Sequence, residues 1–181
     1  MKKITSRRLF LQKSAIATTG VALLSSGLAN ALTTECPFAG YNPYIEEKTD
    51  LRISLFGKEI KVNGTLYDKS TGQPIQNATI EVWHLSQNST KFRNRGQLKT
   101  NSSGDYNFIS NFPNKPKDKA ARVYFKVSHA GRTDFTELVL NNTGAHISAK
   151  HWETNQNLGK KLFPKTNMFL GDTQIEFNLS I

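Results

Sequence analysis

Residues 59–83 read EIKVNGTLYDKSTGQPIQNATIEVW and contain a strand pattern, a turn and the start of a second strand pattern. In the first part, Ile60, Val62 and Leu66 fall on one side of an extended chain, and polar residues fall on the other. Turn-forming residues follow at 68–74, where a glycine and a proline favour a hairpin turn. The alternation then resumes, which predicts a second short strand directly after the turn.

The same period-two alternation recurs along the rest of the chain, in three runs separated by turn-forming clusters: Tyr106 and Phe108; Val123, Phe125 and Val127; Ile175, Phe177, Leu179 and Ile181. Short alternating strands separated by turns indicate an all-β, antiparallel β-sandwich, which we place at residues 51–181. Residues 32–50 are an irregular lead-in, and a short helix is expected only within residues 143–162.

The first 31 residues resemble a bacterial twin-arginine export signal. Arg7 and Arg8 form the paired arginine, a moderately apolar run follows from Ser14 to Leu28, and Ala29-Asn30-Ala31 has the small-x-small pattern of a signal-peptidase site. The apolar run is too short and too interrupted to span about 30 Å of hydrocarbon. We therefore expect residues 1–31 to be cleaved, with the protein periplasmic or secreted and in contact with a membrane only during export.

The charge balance argues against a nucleic-acid partner. The formal net charge is +10, but five of the basic residues lie in the first 31 positions, which contain no acid. The remainder therefore carries about half of this excess, spread along the chain and not gathered in a block. Cys36 is the only cysteine, so no intrachain disulfide can form.

Several motifs resemble those of the intradiol ring-cleavage dioxygenases. In that family, a strand leads through a Gly-x-Pro turn into a strand ending in Glu-x-Trp, as Gly72–Pro74 and Glu81–Trp83 do here. Arg95-Gly96 and Gly104–Phe108 are similar to the Arg-Gly and Gly-x-Tyr-x-Phe elements that follow in the same order. The resemblance covers about Cys36 to Leu140, and it implies a β-sandwich with a ferric ion that activates a catechol toward dioxygen.

The resemblance further implies an iron site of two tyrosinates and two histidines, and these ligand positions are not retained. Phe92, or Lys91 beside it, stands where the first tyrosine is expected, and Asn114–Lys117 occupy the place of the second. Arg122 and Tyr124 stand where the two histidines are expected. An arginine cannot be deprotonated to serve as a ligand, and a single phenolate does not make a ferric site. We therefore predict no iron cofactor.

Arg122, Tyr124 and Lys126 share the face of their strand that points away from the core residues between them. We expect this face to be a solvent-open, cationic and aromatic cleft, with His84 pointing toward the same pocket. The other histidines lack metal-ligand spacing and are expected at the surface: His129, His146 and His151.

Two functions remain open at the level of the sequence. The first is an exported, non-catalytic protein whose former active-site cleft binds a small aromatic or anionic ligand, or an envelope protein or polymer. The alternative is an active ferric intradiol dioxygenase acting on a catechol-type aromatic, with its ligands displaced in sequence. A purely structural domain is a third possibility.

Overall fold

The computed structural model describes residues 36–117, 119–169 and 172–181, without the side chain of Phe169. The predicted export signal at residues 1–31 lies outside the described residues. Within the described part of the chain, no helix has the length and apolarity needed to cross a membrane.

The described residues form ten strands and one short α-helix. The strands are β1 Glu59–Tyr67, β2 Thr79–His84, β3 Asn94–Lys99, β4 Asp105–Asn111, β5 Ala121–His129, β6 Arg132–Asn141, β7 Gly144–Ile147, β8 Lys165–Phe169, β9 Asp172–Glu176 and β10 Leu179–Ser180. The helix α1, Ala149–Asn155, continues into a 3₁₀ segment at Gln156–Leu162, and both lie within the stretch predicted to hold a helix.

The strands build two sheets, which confirms the predicted β-sandwich. One sheet has the order β3-β2-β5-β6-β7, and the other has the order β10-β1-β9-β8 with β4 also paired to β1. Most neighbours are antiparallel, but β1 pairs in parallel first with β9 and then with β10. Both of these short strands lie along one edge of β1, while β4 lies antiparallel along the other.

The core lies between the two sheets, and the period-two residues supply it. On β5, Val123, Phe125 and Val127 are buried, while the residues between them are only half-buried. The Phe125 ring packs against Phe177, with ring centroids 5.3 Å apart, and against Phe108 at 6.2 Å. The alternation in the sequence therefore identified the inward face of this strand correctly.

Two local details differ from the simplest interpretation of the sequence. The turn at residues 68–74 starts as a hairpin, with Tyr67 bridged to Pro74, but the chain then crosses to the other sheet. The last alternating run is interrupted after Glu176, because the Asn178 side chain accepts a hydrogen bond from the Thr65 backbone N–H at 3.0 Å. The Asn178 amide oxygen takes the place of a backbone carbonyl as the partner of Thr65, so the run forms two short strands, β9 and β10, instead of one.

Gly64 follows the phase of the core residues on β1 because no side chain fits there. A Cβ atom at this position would lie 1.8 Å from the carbonyl oxygen of Phe177, which is a backbone atom and cannot move aside. The glycine therefore lets the chain segment between β9 and β10 approach β1 closely.

Candidate functional site

The candidate site is the outer face of β5, where Arg122, Tyr124 and Lys126 alternate with the core residues. The strand register places Trp83 of β2 directly opposite Tyr124. The same register sets Glu81 of β2 opposite Lys126. The sheet thus brings two cations, two aromatic rings and a carboxylate together on one surface.

The lead-in segment Phe38–Tyr41, which we call the strap, covers this surface. The Phe38 ring stacks on Tyr124 with a centroid distance of 4.8 Å and an interplanar angle of 25°. The Trp83 indole N–H donates a hydrogen bond to the Ala39 carbonyl at 3.0 Å, and the Tyr41 ring lies 5.2 Å from the Trp83 ring. The face that the sequence led us to expect open is therefore packed under the protein's own chain.

Phe92 joins the same aromatic cluster from the loop between β2 and β3. Its ring centroid lies 6.3 Å from that of Tyr124. It also packs so closely on Gly40, whose φ is +79°, that a Cβ atom there would lie 2.2 Å from the Phe92 ring. Two of the predicted site residues, Phe92 and Tyr124, are thus brought together, but as packing partners of the strap.

The predicted cationic character of the face is not what the structure gives. Arg122 forms an ion pair with Glu137 of β6. Lys126 lies 2.9 Å from Glu81, and its ammonium group also donates a hydrogen bond to the Tyr41 hydroxyl at 2.6 Å. Each cation is therefore compensated by a carboxylate on a neighbouring strand, which the sequence could not reveal because the partners lie 15 and 45 residues away.

The electrostatics of the face keep its phenols protonated and its lysine charged. Burial raises the pKa of Tyr41, and burial together with the Glu137 carboxylate raises the pKa of Tyr124. Burial alone would lower the pKa of Lys126, but its hydrogen bonds to Tyr41 and Glu81 outweigh this effect and raise it. The surroundings therefore oppose formation of a tyrosinate.

Replacing Lys126 with alanine is expected to destabilise the protein, because it leaves the Glu81 carboxylate uncompensated in a site where that residue is only 8% exposed. We expect a loss of about 2–3 kcal/mol in the free energy of unfolding, below the range for fully buried pairs because Lys126 is partly exposed. Urea titration at neutral pH measures it. The Lys126→Ala, Glu81→Gln double variant should recover part of the loss, whereas a loss below about 0.5 kcal/mol would mean that this face is open to solvent after all.

His84 does not belong to this surface, which corrects the expectation from the sequence. The residue after Trp83 points to the opposite side of β2, where the His84 ring is fully buried between the sheets. Its Nδ1–H donates to the Leu85 carbonyl at 3.0 Å, so Nε2 accepts from the Ser110 hydroxyl at 2.7 Å. Burial lowers the pKa of His84 to about 4, so it is a neutral structural residue.

His151 is likewise not a surface residue. It lies on α1, fully buried, with its ring 4.5 Å from that of Phe177 and its Nδ1 2.9 Å from the Thr136 hydroxyl. Burial lowers its pKa to about 4. The sequence predicted a short helix within residues 143–162. Which side of that helix faces the core depends on the sheet that it packs against, and this is a tertiary property.

The residues at the positions where the family resemblance places iron ligands do not fit a ferric ion. The Phe92 ring has no donor atom, the Tyr124 ring is stacked under Phe38, and Arg122 is bound to Glu137. Asn114 in the turn before β5 donates its side-chain amide to the Ser89 carbonyl at 3.0 Å. Among the described residues, no three histidine, cysteine, aspartate or glutamate side chains lie close enough together to hold a metal ion.

The strap residues are the part of the site that the sequence analysis missed. Phe38 and Tyr41 lie in the irregular lead-in, and nothing in its sequence pattern indicates which surface it covers. The available signal was the composition: three aromatic residues stand among the nine positions from 36 to 44, a density typical of a segment that packs.

No protein-family model and no curated protein matches the chain. Solved structures do match. The dioxygenase domain of a carbohydrate-binding fusion protein from Streptomyces sp. SirexAA-E is 17% identical, covers 82% of this chain and 95% of its own, and superposes with a TM-score of 0.60. An intradiol ring-cleavage dioxygenase from Tetranychus urticae is 15% identical over 78% of this chain and 89% of its own, with a TM-score of 0.59.

A chlorocatechol 1,2-dioxygenase from Pseudomonas putida is also similar, at 19% identity over 78% of this chain and 68% of its own, with a TM-score of 0.57. These similarities show the fold: the chain has the intradiol-dioxygenase β-sandwich. At this level of identity the fold does not fix the chemistry, which depends on the residues of the site.

Proposed function

We propose that this chain is an exported, non-catalytic relative of the intradiol dioxygenases, in which the former metal pocket has become an aromatic binding surface. The observation that carries this proposal is the stack of Phe38 on Tyr124, which fills the space in front of a former ligand position. An aromatic ring of the protein itself thus lies where a small aromatic ligand would lie.

The geometry favours an aromatic over an anionic ligand. Arg122 and Lys126 each already have a carboxylate partner, so the surface offers little uncompensated positive charge to an anion. Tyr124 instead offers the ring face on which Phe38 stacks, with the Trp83 and Phe92 rings beside it at centroid distances of 5.7 and 6.3 Å. Stacking of an aromatic partner is worth about 0.5–1.5 kcal/mol per ring pair. We infer that a ligand competes with Phe38 and that the strap moves aside when it binds.

Export rests on the sequence of the N-terminus. The paired Arg7 and Arg8, the short apolar run and the Ala29-Asn30-Ala31 pattern support a cleaved twin-arginine signal and a periplasmic or secreted protein. Recovery of the protein from the periplasm or the medium, with its N-terminus at Leu32, tests this directly.

Metal analysis of that recovered protein tests the loss of catalysis. We expect no stoichiometric iron and no cleavage of catechol or protocatechuate, because Phe92 offers no donor atom, Arg122 cannot be deprotonated, and the single phenol of Tyr124 does not make a ferric site. The competing function, an active ferric dioxygenase, is favoured by the names of the similar structures. It predicts about one iron per chain and a visible tyrosinate band that disappears in Tyr124→Phe.

Catechol itself is a suitable probe for the binding surface. Phe38→Ala removes the competing ring and uncovers the stacking surface, so it should raise the affinity for catechol about threefold to tenfold. Tyr124→Ala removes the stacking surface itself and should abolish binding. Isothermal titration measures both. Phe163→Ala, at an exposed aromatic residue outside the cluster, is the matched control and should change nothing. No binding to either the parent or Phe38→Ala would contradict an aromatic ligand.

A further inference from the structure

One end of the sandwich carries an exposed apolar loop. The loop Ile53–Gly57 precedes β1, and its Leu55 and Phe56 side chains are 75% and 86% exposed. Two adjacent, almost fully solvated apolar side chains are unfavourable in water, and such patches mark interaction sites more often than isolated exposed residues do.

This loop is held in a fixed conformation by a buried amide. Asn111, at the end of β4, is 1% exposed, and its Oδ1 accepts from the backbone N–H groups of Ile53 at 3.0 Å and Ser54 at 3.3 Å. Its Nδ2 donates to the Ser54 carbonyl at 2.8 Å. The Ser54 hydroxyl also accepts from the Phe56 N–H at 3.1 Å. These hydrogen bonds fix the conformation of the loop, and in that conformation the Leu55 and Phe56 side chains are exposed.

A basic groove lies beside this loop. A cavity of about 500 Å³ is lined by Lys58, Lys115 and Lys119, and an adjoining pocket that shares Asn88 and Asn114 with it adds Lys91 and Arg93. No carboxylate of the described residues lines either cavity, and none forms an ion pair with these five cations. The one acid in the sequence between Phe112 and Ala120, Asp118, is outside the described residues.

The loop and the groove form one continuous surface. Lys58 follows directly after the loop, and its carbonyl accepts a hydrogen bond from the Phe112 N–H at 2.7 Å. Gly57 lies against the Gln87 side chain, which lines the groove. The apolar tip thus lies beside cations that have no carboxylate partner among the described residues, in contrast to the face of β5, where Arg122 and Lys126 each have one.

We propose that this end of the sandwich docks the protein on an anionic phospholipid surface. Lipid phosphates would enter the basic groove, and Leu55 and Phe56 would insert into the boundary between headgroups and acyl chains. This pairing of basic residues with apolar side chains on one surface is how peripheral proteins bind anionic membranes. A soluble polyanion would satisfy the cations but would leave the apolar tip in water, so a bilayer fits the surface better. The inference depends on neither the aromatic surface nor the loss of iron, and it replaces the expectation that the protein contacts a membrane only during export.

Co-sedimentation with vesicles tests the proposal. The parent protein should bind vesicles containing about 30% phosphatidylglycerol and should bind purely zwitterionic vesicles at least about tenfold more weakly. Leu55→Ser with Phe56→Ser, and separately Lys115→Gln with Lys119→Gln, should each weaken binding to the anionic vesicles by about tenfold. Parent and variants are compared in the same N-terminal form, so the first residues contribute equally to every sample.

Matched controls are available at residues that line neither the groove nor the apolar loop. Lys150→Gln with Lys160→Gln removes two charges, and Phe163→Ser removes an exposed apolar side chain, without touching the proposed surface. Both should bind like the parent. If the lysine variant loses binding but the Leu55, Phe56 variant does not, the groove is a polyanion site and the membrane proposal is wrong. Equal binding of all variants, or binding to dextran sulfate but not to vesicles, also overturns it.

Discussion

Phe125→Ala will cost about 3–5 kcal/mol of the free energy of unfolding, because it leaves a cavity at the centre of the sandwich. The Phe125 ring is fully buried on β5. It contacts Tyr106, Phe108 and Phe177, with centroid distances of 6.5, 6.2 and 5.3 Å. The first two lie on β4 of the other sheet, and Phe177 lies between its strands β9 and β10. No neighbour can refill the space, since the backbone of each is held in place by the sheet and the core is close-packed.

Urea titrations of the parent and the variant measure this loss. Ser128→Ala is the matched control on the same strand, because the Ser128 hydroxyl makes only an exposed contact, at 3.3 Å, with Thr133. It should change the free energy of unfolding by less than about 0.5 kcal/mol. Similar losses for the two variants would show that Phe125 is not in the centre of the core.

Acidification from pH 6.5 to pH 4 is expected to destabilise the protein through His84 and His151. Both rings are fully buried, and burial lowers their pKa from 6.5 to about 4. Between pH 4 and 6.5 these histidines are protonated in the unfolded chain but neutral in the folded chain. The free energy of unfolding therefore rises with pH and is lost as the pH falls. The expected loss is about 3 kcal/mol for each histidine.

Urea titrations at several pH values between 4 and 7 test this expectation. His84→Gln, whose amide can still reach Ser110, should make the loss of stability on acidification shallower than in the parent. Phe125→Ala is the control, because it lowers stability at every pH without removing a titrating group. An unchanged pH dependence in His84→Gln would show that this histidine is not held neutral by the fold.

The strand alternation was sufficient to predict the sandwich and its inward residues. Val123, Phe125 and Val127 are buried as their period indicated, because side chains alternate between the faces of a strand wherever the strand lies. The same local rule gave Arg122, Tyr124 and Lys126 a common face. What it could not give was the identity of the elements that cover each face.

His84 and the strap show why the site needed tertiary information. His84 follows Trp83 directly, and consecutive residues of a strand point to opposite faces, yet only the packing of the two sheets decides that its side meets Ser110 in the core. The course of Phe38–Tyr41 is set by hydrogen bonds and ring contacts to residues 42 or more positions away, as in the bond from the Trp83 indole to the Ala39 carbonyl.

The amino-acid sequence alone was enough to predict the fold class, the core phase of the strands and the residue types at the positions where the family resemblance places iron ligands. These follow from local rules of alternation, turn chemistry and side-chain chemistry. Three features required the folded chain: the pairing of Glu81 and Glu137 with the cations, the covering of the outer face of β5 by the strap, and the contact between the apolar loop and the basic groove. Charge compensation and coverage depend on distances between segments remote in sequence, and those distances exist only once the chain has folded.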